Sequence, residues 1–377
     1  MTQHLDALQR VLSDVVAPEA AAVDRDGTFP QASIDALAGV GLLGLTTSAE
    51  LGGGGQGMRP AAEVIQGLAG TCGSTAMIVL MHYVANAAIE GHAAEAVRKA
   101  VASGQHLSTL AFSEAGSRSH FWATQSTATP DADEAIVLDA AKSWVTAAAH
   151  ANSYVWSTRP VDPAAPGPMT LWLVPSAADG LVQPSGFDGL GLRGNGSTPV
   201  TAKGVRISRA DMLGPDGGGF DLALGEILPW FLVLSGAFCL GLMEAVTAET
   251  GAHLTSTRLE HLDQSLAQQP FPRVDHARMR LQTDQLAALL GDTLTALETA
   301  RPDAMLRVLE IKAAAAEAAI AVTDLAMKVC GGAAFRKELG IERAFRDARA
   351  ARVMAPTTDA LLDFIGRAIN GLPLVDA

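Results

Sequence analysis

The spacing of apolar residues changes twice along the chain. From residue 1 to about 106 it is helical: Leu5, Leu8, Val11, Leu12 and Val15 recur mostly at intervals of three and four, which places them on one helix face. Ser33-Ile-Asp-Ala-Leu-Ala predicts a second helix, capped by Ser33 and stopped near Gly39 and Gly41. The run Gly52-Gly-Gly-Gly-Gln-Gly predicts a loop. An apolar segment from Ala61 to Leu80, broken at Gly70–Gly73 and continued by Met81–Ile89, predicts further helix.

Between about 107 and 212, short β-branched runs alternate with turn residues. Ile136-Val-Leu, Ser153-Tyr-Val-Trp-Ser-Thr, Leu171-Trp-Leu-Val and Val205-Arg-Ile-Ser predict strands. Pro130-Asp-Ala-Asp, Pro163-Ala-Ala-Pro-Gly-Pro and Ser185-Gly-Phe-Asp-Gly predict the turns between them. Helical spacing returns from 213 to 377, over Ile227–Ser256, Asp275–Leu297, Pro302–Val329 and Thr357–Ile369, with a stop at Gly331-Gly332. Helix, strand and helix in blocks predict an α+β protein with segregated layers. Its units are an N-terminal helical domain (1–106), a middle β domain (107–212) and a C-terminal helical bundle (213–377).

A length of 377 residues exceeds the usual single core and fits two or three cooperating units. Apolar residues make up 49% and charged residues only 18%, and the abundant alanine favours helix. The net charge is -13, from 27 basic and 40 acidic residues that form no basic cluster. That excludes a nucleic-acid partner, which needs concentrated positive charge. Cys72, Cys239 and Cys330 are odd in number and irregularly spaced. They suggest neither a disulfide framework nor a zinc site, and they point to a reducing cytoplasm with buried, inert thiols. The 9 histidines show no ligand spacing, so no metal site is expected. The opening MTQHLDALQRVLSDVV lacks the basic and apolar regions of a signal peptide. Ile227–Met243, interrupted by Pro229 and Gly236, is short for a membrane span and predicts a buried helix. Gly52–Gly55 lacks the Gly-Lys-Ser/Thr of a phosphate-binding loop, and no Gly-x-Ser-x-Gly elbow occurs.

Asp24-Arg25, Phe29-Pro30, Gly39-Val-Gly-Leu-Leu-Gly-Leu and Glu50-Leu-Gly-Gly-Gly-Gly stand in that order near the start. Leu110-Ala-Phe-Ser-Glu-Ala-Gly-Ser-Arg-Ser, Ala140-Ala-Lys-Ser-Trp-Val-Thr and Gly191-Leu-Arg-Gly follow, and the series ends with Gly331-Gly332 and Phe345-Arg-Asp-Ala-Arg. In this order the motifs resemble the acyl-CoA dehydrogenase superfamily over nearly the whole chain. The resemblance implies FAD, or alternatively FMN, held between the middle β domain and a C-terminal four-helix bundle. It also implies a homotetramer or homodimer in which a second subunit completes the pocket.

By the same resemblance, Phe112 and Ser113 contact the polar edge of the flavin, and Trp144 and Thr146 flank its other side. Ser119 bonds the pyrophosphate. Gly331 and Gly332, which lack a Cβ, let backbone approach a diphosphate. Arg258 matches a flavin-contacting arginine at the end of a long helix, and Thr357 and Asp359 help to hold flavin. Taken singly, Phe112 and Trp144 read as β-domain core, Gly331-Gly332 as a helix C-cap and Arg258 as a helix-end cation. Lys328 stands where the family usually has Gln, and His261-Leu262 replaces the Phe-Gly that usually follows the arginine. The run Arg346, Asp347 and Arg349 matches a structural element beside the pocket.

The common pattern of the family places a glutamate shortly after that run. It removes the α-proton of an acyl thioester while hydride leaves the β-carbon for the flavin. Ala355 stands at that position here, with Pro356 at the following Gly. Some relatives carry the base on the earlier bundle helix, where this chain reads Leu228-Pro-Trp-Phe-Leu-Val-Leu; Glu226 and Glu244 are out of register. Loss of a positioned base costs about 10²–10⁴-fold in proton transfer. His82 is the best substitute, because imidazole exchanges protons near neutral pH. It matches a histidine frequent in the family and used by related reduced-flavin monooxygenases; a packed helix histidine is the other reading. His120 is a second candidate.

Three functions remain open. The first is a dehydrogenase or oxidase of an acyl thioester or related acyl substrate, passing electrons to an acceptor flavoprotein. The second is a monooxygenase supplied with reduced flavin by a partner reductase, which the missing glutamate favours. The third is a silent homologue that binds flavin or an acyl carrier. The dehydrogenase-like pattern places the first ahead. A membrane partner is not expected.

Overall fold

A computed structural model of the protein describes residues 3–117, 120–184, 186–337 and 339–374. Helices α1 (Gln3–Val11), α2 (Ala17–Asp26), α3 (Gln31–Gly39), α4 (Met58–Thr71), α5 (Gly73–His92) and α6 (Glu95–Ala102) precede the strands. Helix α3 starts three residues earlier than the sequence suggests, after Pro30. Ser33 therefore does not cap it; its hydroxyl donates to the Glu19 carboxylate at 3.0 Å. Helix α5 is apolar or small on nearly every face, and it is buried along most of its length, as an all-round apolar helix must be.

The middle of the chain forms β1 (Ser108–Ala111), β2 (Thr127–Pro130), β3 (Ile136–Val145), β4 (Ser153–Thr158), β5 (Thr170–Pro175), β6 (Leu181–Val182), β7 (Thr198–Ile207) and β8 (Met212–Leu213). They make two four-stranded sheets, ordered β1-β4-β5-β8 and β2-β3-β7-β6. Strand β1 runs parallel to β4, whereas β4–β5 and β3–β7 are antiparallel. Inward positions that include Ile136, Leu138, Tyr154, Trp156, Trp172 and Val205 fill the core between them.

The last part contains α7 (Gly219–Leu222), α8 (Leu228–Ser256), β9 (Arg258–Leu259), β10 (Gln264–Ser265), α9 (Pro270–Glu298), α10 (Ala304–Cys330), α11 (Gly332–Phe335), α12 (Ile341–Ala348), α13 (Ala350–Val353) and α14 (Thr358–Ile369). A five-residue π-turn, Ala223–Ile227, joins α7 to α8. Helix α9 starts at Pro270 rather than Asp275, because proline suits a first helical position, where its missing N–H is not needed. The stretch Gly219–Ser256 is long and apolar enough to cross a membrane, but its most apolar window is 83% buried within the protein. It is a core helix. Small residues let the bundle close: a Cβ on Gly241 would stand 2.1 Å from the Gln66 carbonyl oxygen.

The charge run near the C-terminus is not a solvated face. Arg346 makes a two-pronged contact with Asp24 at 2.8 and 2.6 Å, tying the last segment to α2. The buried Asp347 accepts the Leu192 N–H at 2.6 Å and so holds the loop between β6 and β7. Burial pushes the Asp347 carboxyl up to about 6. The three cysteine thiols are buried and unpaired. Burial pushes Cys239 up to about 12.

Candidate active site

The motif after β1 and the motif at the end of β3 come together. The Ser143 N–H donates to the Ser113 carbonyl at 2.9 Å. Beneath this contact lies a buried ion pair, Lys142 Nζ to Glu114 Oε1 at 2.5 Å. The ammonium also donates to the Ser157 carbonyl at 2.7 Å and the Ser157 hydroxyl at 2.9 Å. Glu114 additionally accepts from the Ser126 hydroxyl and the Gln125 N–H, each at 2.5 Å. Burial raises the Glu114 carboxyl, but Lys142 and these donors outweigh it and hold the group below its ordinary value. The pair fixes the edge on which the expected flavin contacts stand. Sequence reasoning gave it no role. Its signal was a lysine at an inward position of β3, on the same side as Ile136 and Leu138.

Phe112 is half-buried against the main core, and Ser113 lies beside it. Trp144 is not core. It is 67% exposed and has a left-handed φ of 57°. Its indole meets the Phe187 ring edge-on at 6.1 Å. Thr146, two residues on, is buried and shares a hydrogen bond with the Ser197 hydroxyl at 3.2 Å. Ser119 lies outside the described residues. The loop that follows Glu114 reaches the last helix: the Trp122 and Phe364 rings are 5.7 Å apart. Thr357 caps that helix, accepting the Ala360 N–H, and Asp359 sits exposed in its first turn. The neighbouring Thr358 hydroxyl is buried and has no partner among the described residues.

Arg258 follows the C-terminal end of α8, and Gly331 and Gly332 follow that of α10; between these two helices the Cys330 thiol faces the Thr250 hydroxyl at 3.9 Å. Arg258 does not end the helix, which stops at Ser256; it lies in the short strand β9 and pairs with Asp263. Gly331 has a φ of 54°, and both glycines have open space where a Cβ would stand. Lys328 pairs with Asp275 at 2.7 Å.

The Ala355 segment is held from below. Lys312 on α10 is buried, and its Nζ donates to the Met354 carbonyl at 2.9 Å and the Pro356 carbonyl at 2.7 Å. Burial pulls the ammonium down to about 8. Lys312 was also missed in the sequence, although it shares a helix face with apolar Val308, Ala315 and Ala319. Glu226 bonds His92 at 3.1 Å, and Glu244 accepts from Gln66 at 2.7 Å.

His82 is not placed to exchange protons. Its ring is fully buried. Nδ1 accepts the Ser108 N–H at 3.1 Å, so Nε2 carries the hydrogen and donates to the Leu43 carbonyl at 3.0 Å. Burial lowers the group to about 4. The side chain is a neutral strut between α5, β1 and the Leu43 turn. His120 lies in the loop after β1, with Nδ1 3.2 Å from the Ser117 carbonyl and its ring edge-on to Trp122.

Domain patterns of one family match the chain in order: an acyl-CoA dehydrogenase N-terminal domain over residues 2–104, a middle domain over 109–205 and a C-terminal domain over 217–370. The chain belongs to the acyl-CoA dehydrogenase family. It is 26% identical over 347 residues to the human mitochondrial short-chain specific acyl-CoA dehydrogenase, covering 91% of this chain and 83% of that protein. Its fold is that of butyryl-CoA dehydrogenase from Megasphaera elsdenii, with a TM-score of 0.91, 20% identity and 98% coverage of both chains. The same fold occurs in TdsC from Paenibacillus sp. A11-2, solved with FMN and indole, with a TM-score of 0.88, 21% identity and coverage of 99% and 98%.

Family members are flavin-dependent oxidoreductases that bind FAD, and this chain is an oxidoreductase of that kind. The residues present fit the ring of such a cofactor: an exposed indole on strained backbone faces outward beside a buried threonine hydroxyl. The Thr358 hydroxyl at the start of α14 is a further open position. Arg258 and Lys328 are paired with Asp263 and Asp275 respectively.

Proposed function

We propose that the chain oxidises an acyl thioester or a related acyl substrate, using a flavin held against Trp144, with no carboxylate of its own at the family's base positions. The observation that carries this reading is Trp144. A non-glycine residue at positive φ costs about 1–3 kcal/mol, and here that conformation presents a large apolar ring to solvent. A planar ligand stacked on the indole accounts for both. Phe112 and Ser113 would meet the polar edge of that ligand, Thr146 would offer a hydroxyl, and Thr357 and Asp359 would border it from the last helix. Gly331, Gly332 and Arg258 would serve the diphosphate end, with a second copy of the chain completing the pocket.

The cofactor supplies two-electron redox chemistry. The protein binds and orients it, excludes water and holds the Ala355 backbone in place through Lys312. An acceptor flavoprotein would take the electrons, and the cytoplasm is the compartment we assign. A second reading, a monooxygenase fed by a flavin reductase, is favoured by Ala355, which cannot remove a proton from carbon.

The visible spectrum of the purified protein, followed by anaerobic addition of a butyryl-type thioester, separates these readings. Bleaching of a yellow protein supports oxidation of the thioester. A colourless protein that binds photoreduced FMN or FAD supports the monooxygenase. A protein that does neither refutes both.

A further inference from the structure

The loop between β6 and β7 brings one more ring beside Trp144. The Phe187 and Trp144 centroids are 6.1 Å apart and their planes stand at 89°, the perpendicular geometry that aromatic pairs favour. Such a neighbour takes at most one face of the indole, and Trp144 remains 67% exposed. Trp144 has little else to steady it. It lies at the end of β3, where the pairing with β7 shifts register between Lys142 and Val145. A side chain this exposed changes rotamer readily unless a neighbour holds it.

Phe187, by contrast, stands on a firmly tied loop. A Cβ on Gly189 would come within 2.2 Å of the Phe187 Cζ, so the ring lies directly over that glycine. Gly189 does not have left-handed backbone, so the ring alone excludes a side chain there. Arg193 pairs with Asp188 at 3.1 Å and donates to the Gly189 carbonyl at 3.3 Å and the Asp24 carbonyl at 2.8 Å. Arg346 donates to the Leu190 carbonyl at 3.1 Å, and Asp347 accepts the Leu192 N–H at 2.6 Å. A Cβ on Gly191 would stand 2.6 Å from the Arg346 carbonyl oxygen. Residues 188–193 are thereby held against α2 and α12.

We propose that Phe187 is a positioning residue that holds the Trp144 indole in the orientation on which the flavin stacks. This assignment rests on Trp144 as the flavin seat, and it adds a residue that acts on the cofactor only through that indole. Without Phe187 the indole spends part of its time in other rotamers, and the apparent affinity for flavin falls with the fraction of competent protein. An aromatic pair shifts such an equilibrium by about threefold to tenfold.

Calorimetric titration of the flavin-free full-length protein with FAD, together with the circular dichroism induced in the bound flavin's visible band, tests the assignment. Phe187→Leu removes the ring, Gly189→Ala pushes it aside, and Phe187→Tyr keeps its edge. The first two are expected to weaken FAD at least about threefold and to diminish the induced signal, and Phe187→Tyr to match wild type. In a Trp144→Ala background, Phe187→Leu is expected to have no further effect, because the two residues act as a unit. Gly189→Ala stands in if Phe187→Leu fails to fold, as judged by far-ultraviolet circular dichroism. A smaller loss in the folded variants, or an undiminished loss in the Trp144→Ala background, would overturn the role of Phe187 while leaving Trp144 as the seat. Wild-type affinity in Trp144→Ala itself, or no FAD binding by wild type, would overturn both.

Discussion

Lys142→Met is the perturbation that most sharply tests how the candidate active site is held. The native ammonium makes three contacts, to Glu114 at 2.5 Å, the Ser157 carbonyl at 2.7 Å and the Ser157 hydroxyl at 2.9 Å. Glu114 keeps only 3% side-chain exposure, so methionine leaves a buried carboxylate whose remaining donors are Ser126 and Gln125. Breaking one half of such a pair costs about 3–5 kcal/mol. Replacing both halves by neutral groups, Lys142→Met with Glu114→Gln, removes the stranded charge, and at least about half of that loss is expected to return. Urea unfolding of the wild type, the two single variants and the double variant measures the coupling. A Lys142→Met loss below about 1 kcal/mol, the range of an exposed pair, would refute the reading that this pair braces the site. So would a double variant less stable than the sum of the singles.

Other outcomes follow from single residues. The folded His82 ring is depressed from 6.5 to about 4, so the unfolded chain binds the extra proton between those values and stability falls as pH drops through that window. The stability advantage of wild type over His82→Gln should narrow by about 3 kcal/mol from pH 6.5 to pH 4 in denaturant titrations, and an unchanged gap would contradict a neutral buried ring. Ala355→Glu restores a carboxylate to the segment clamped by Lys312. Anaerobic stopped-flow should show thioester-driven flavin reduction faster by about 10²-fold or more; no gain would mean that the segment does not face the substrate.

The block architecture was legible because apolar spacing is a direct record of which face is buried. Strands β3, β4, β5 and β7 contain the four runs marked as strands, apart from Ser208, which lies just past β7, and the stop at Gly331-Gly332 ends α10 at Cys330. Starts were harder to place. Asp275 marked the expected start of a helix but is a buried partner of Lys328 and Arg278 inside α9, which Pro270 opens. Polar residues facing inward were hardest of all. Lys312 is spaced like any other lysine of an alanine-rich helix, and only the carbonyls of Met354 and Pro356, more than 40 residues later, explain it. His82 shows the converse, a residue type with obvious chemistry whose two nitrogens are taken by backbone groups distant in sequence.

The most direct measurement is FAD titration of flavin-free protein, followed by the visible absorbance of the ring, with wild type and Trp144→Ala side by side. Wild type should bind one FAD per chain, and removal of the indole should weaken binding by roughly tenfold, the worth of one aromatic stacking contact. Equal affinity in the two proteins, or no binding by the wild type, would contradict a flavin seated on Trp144.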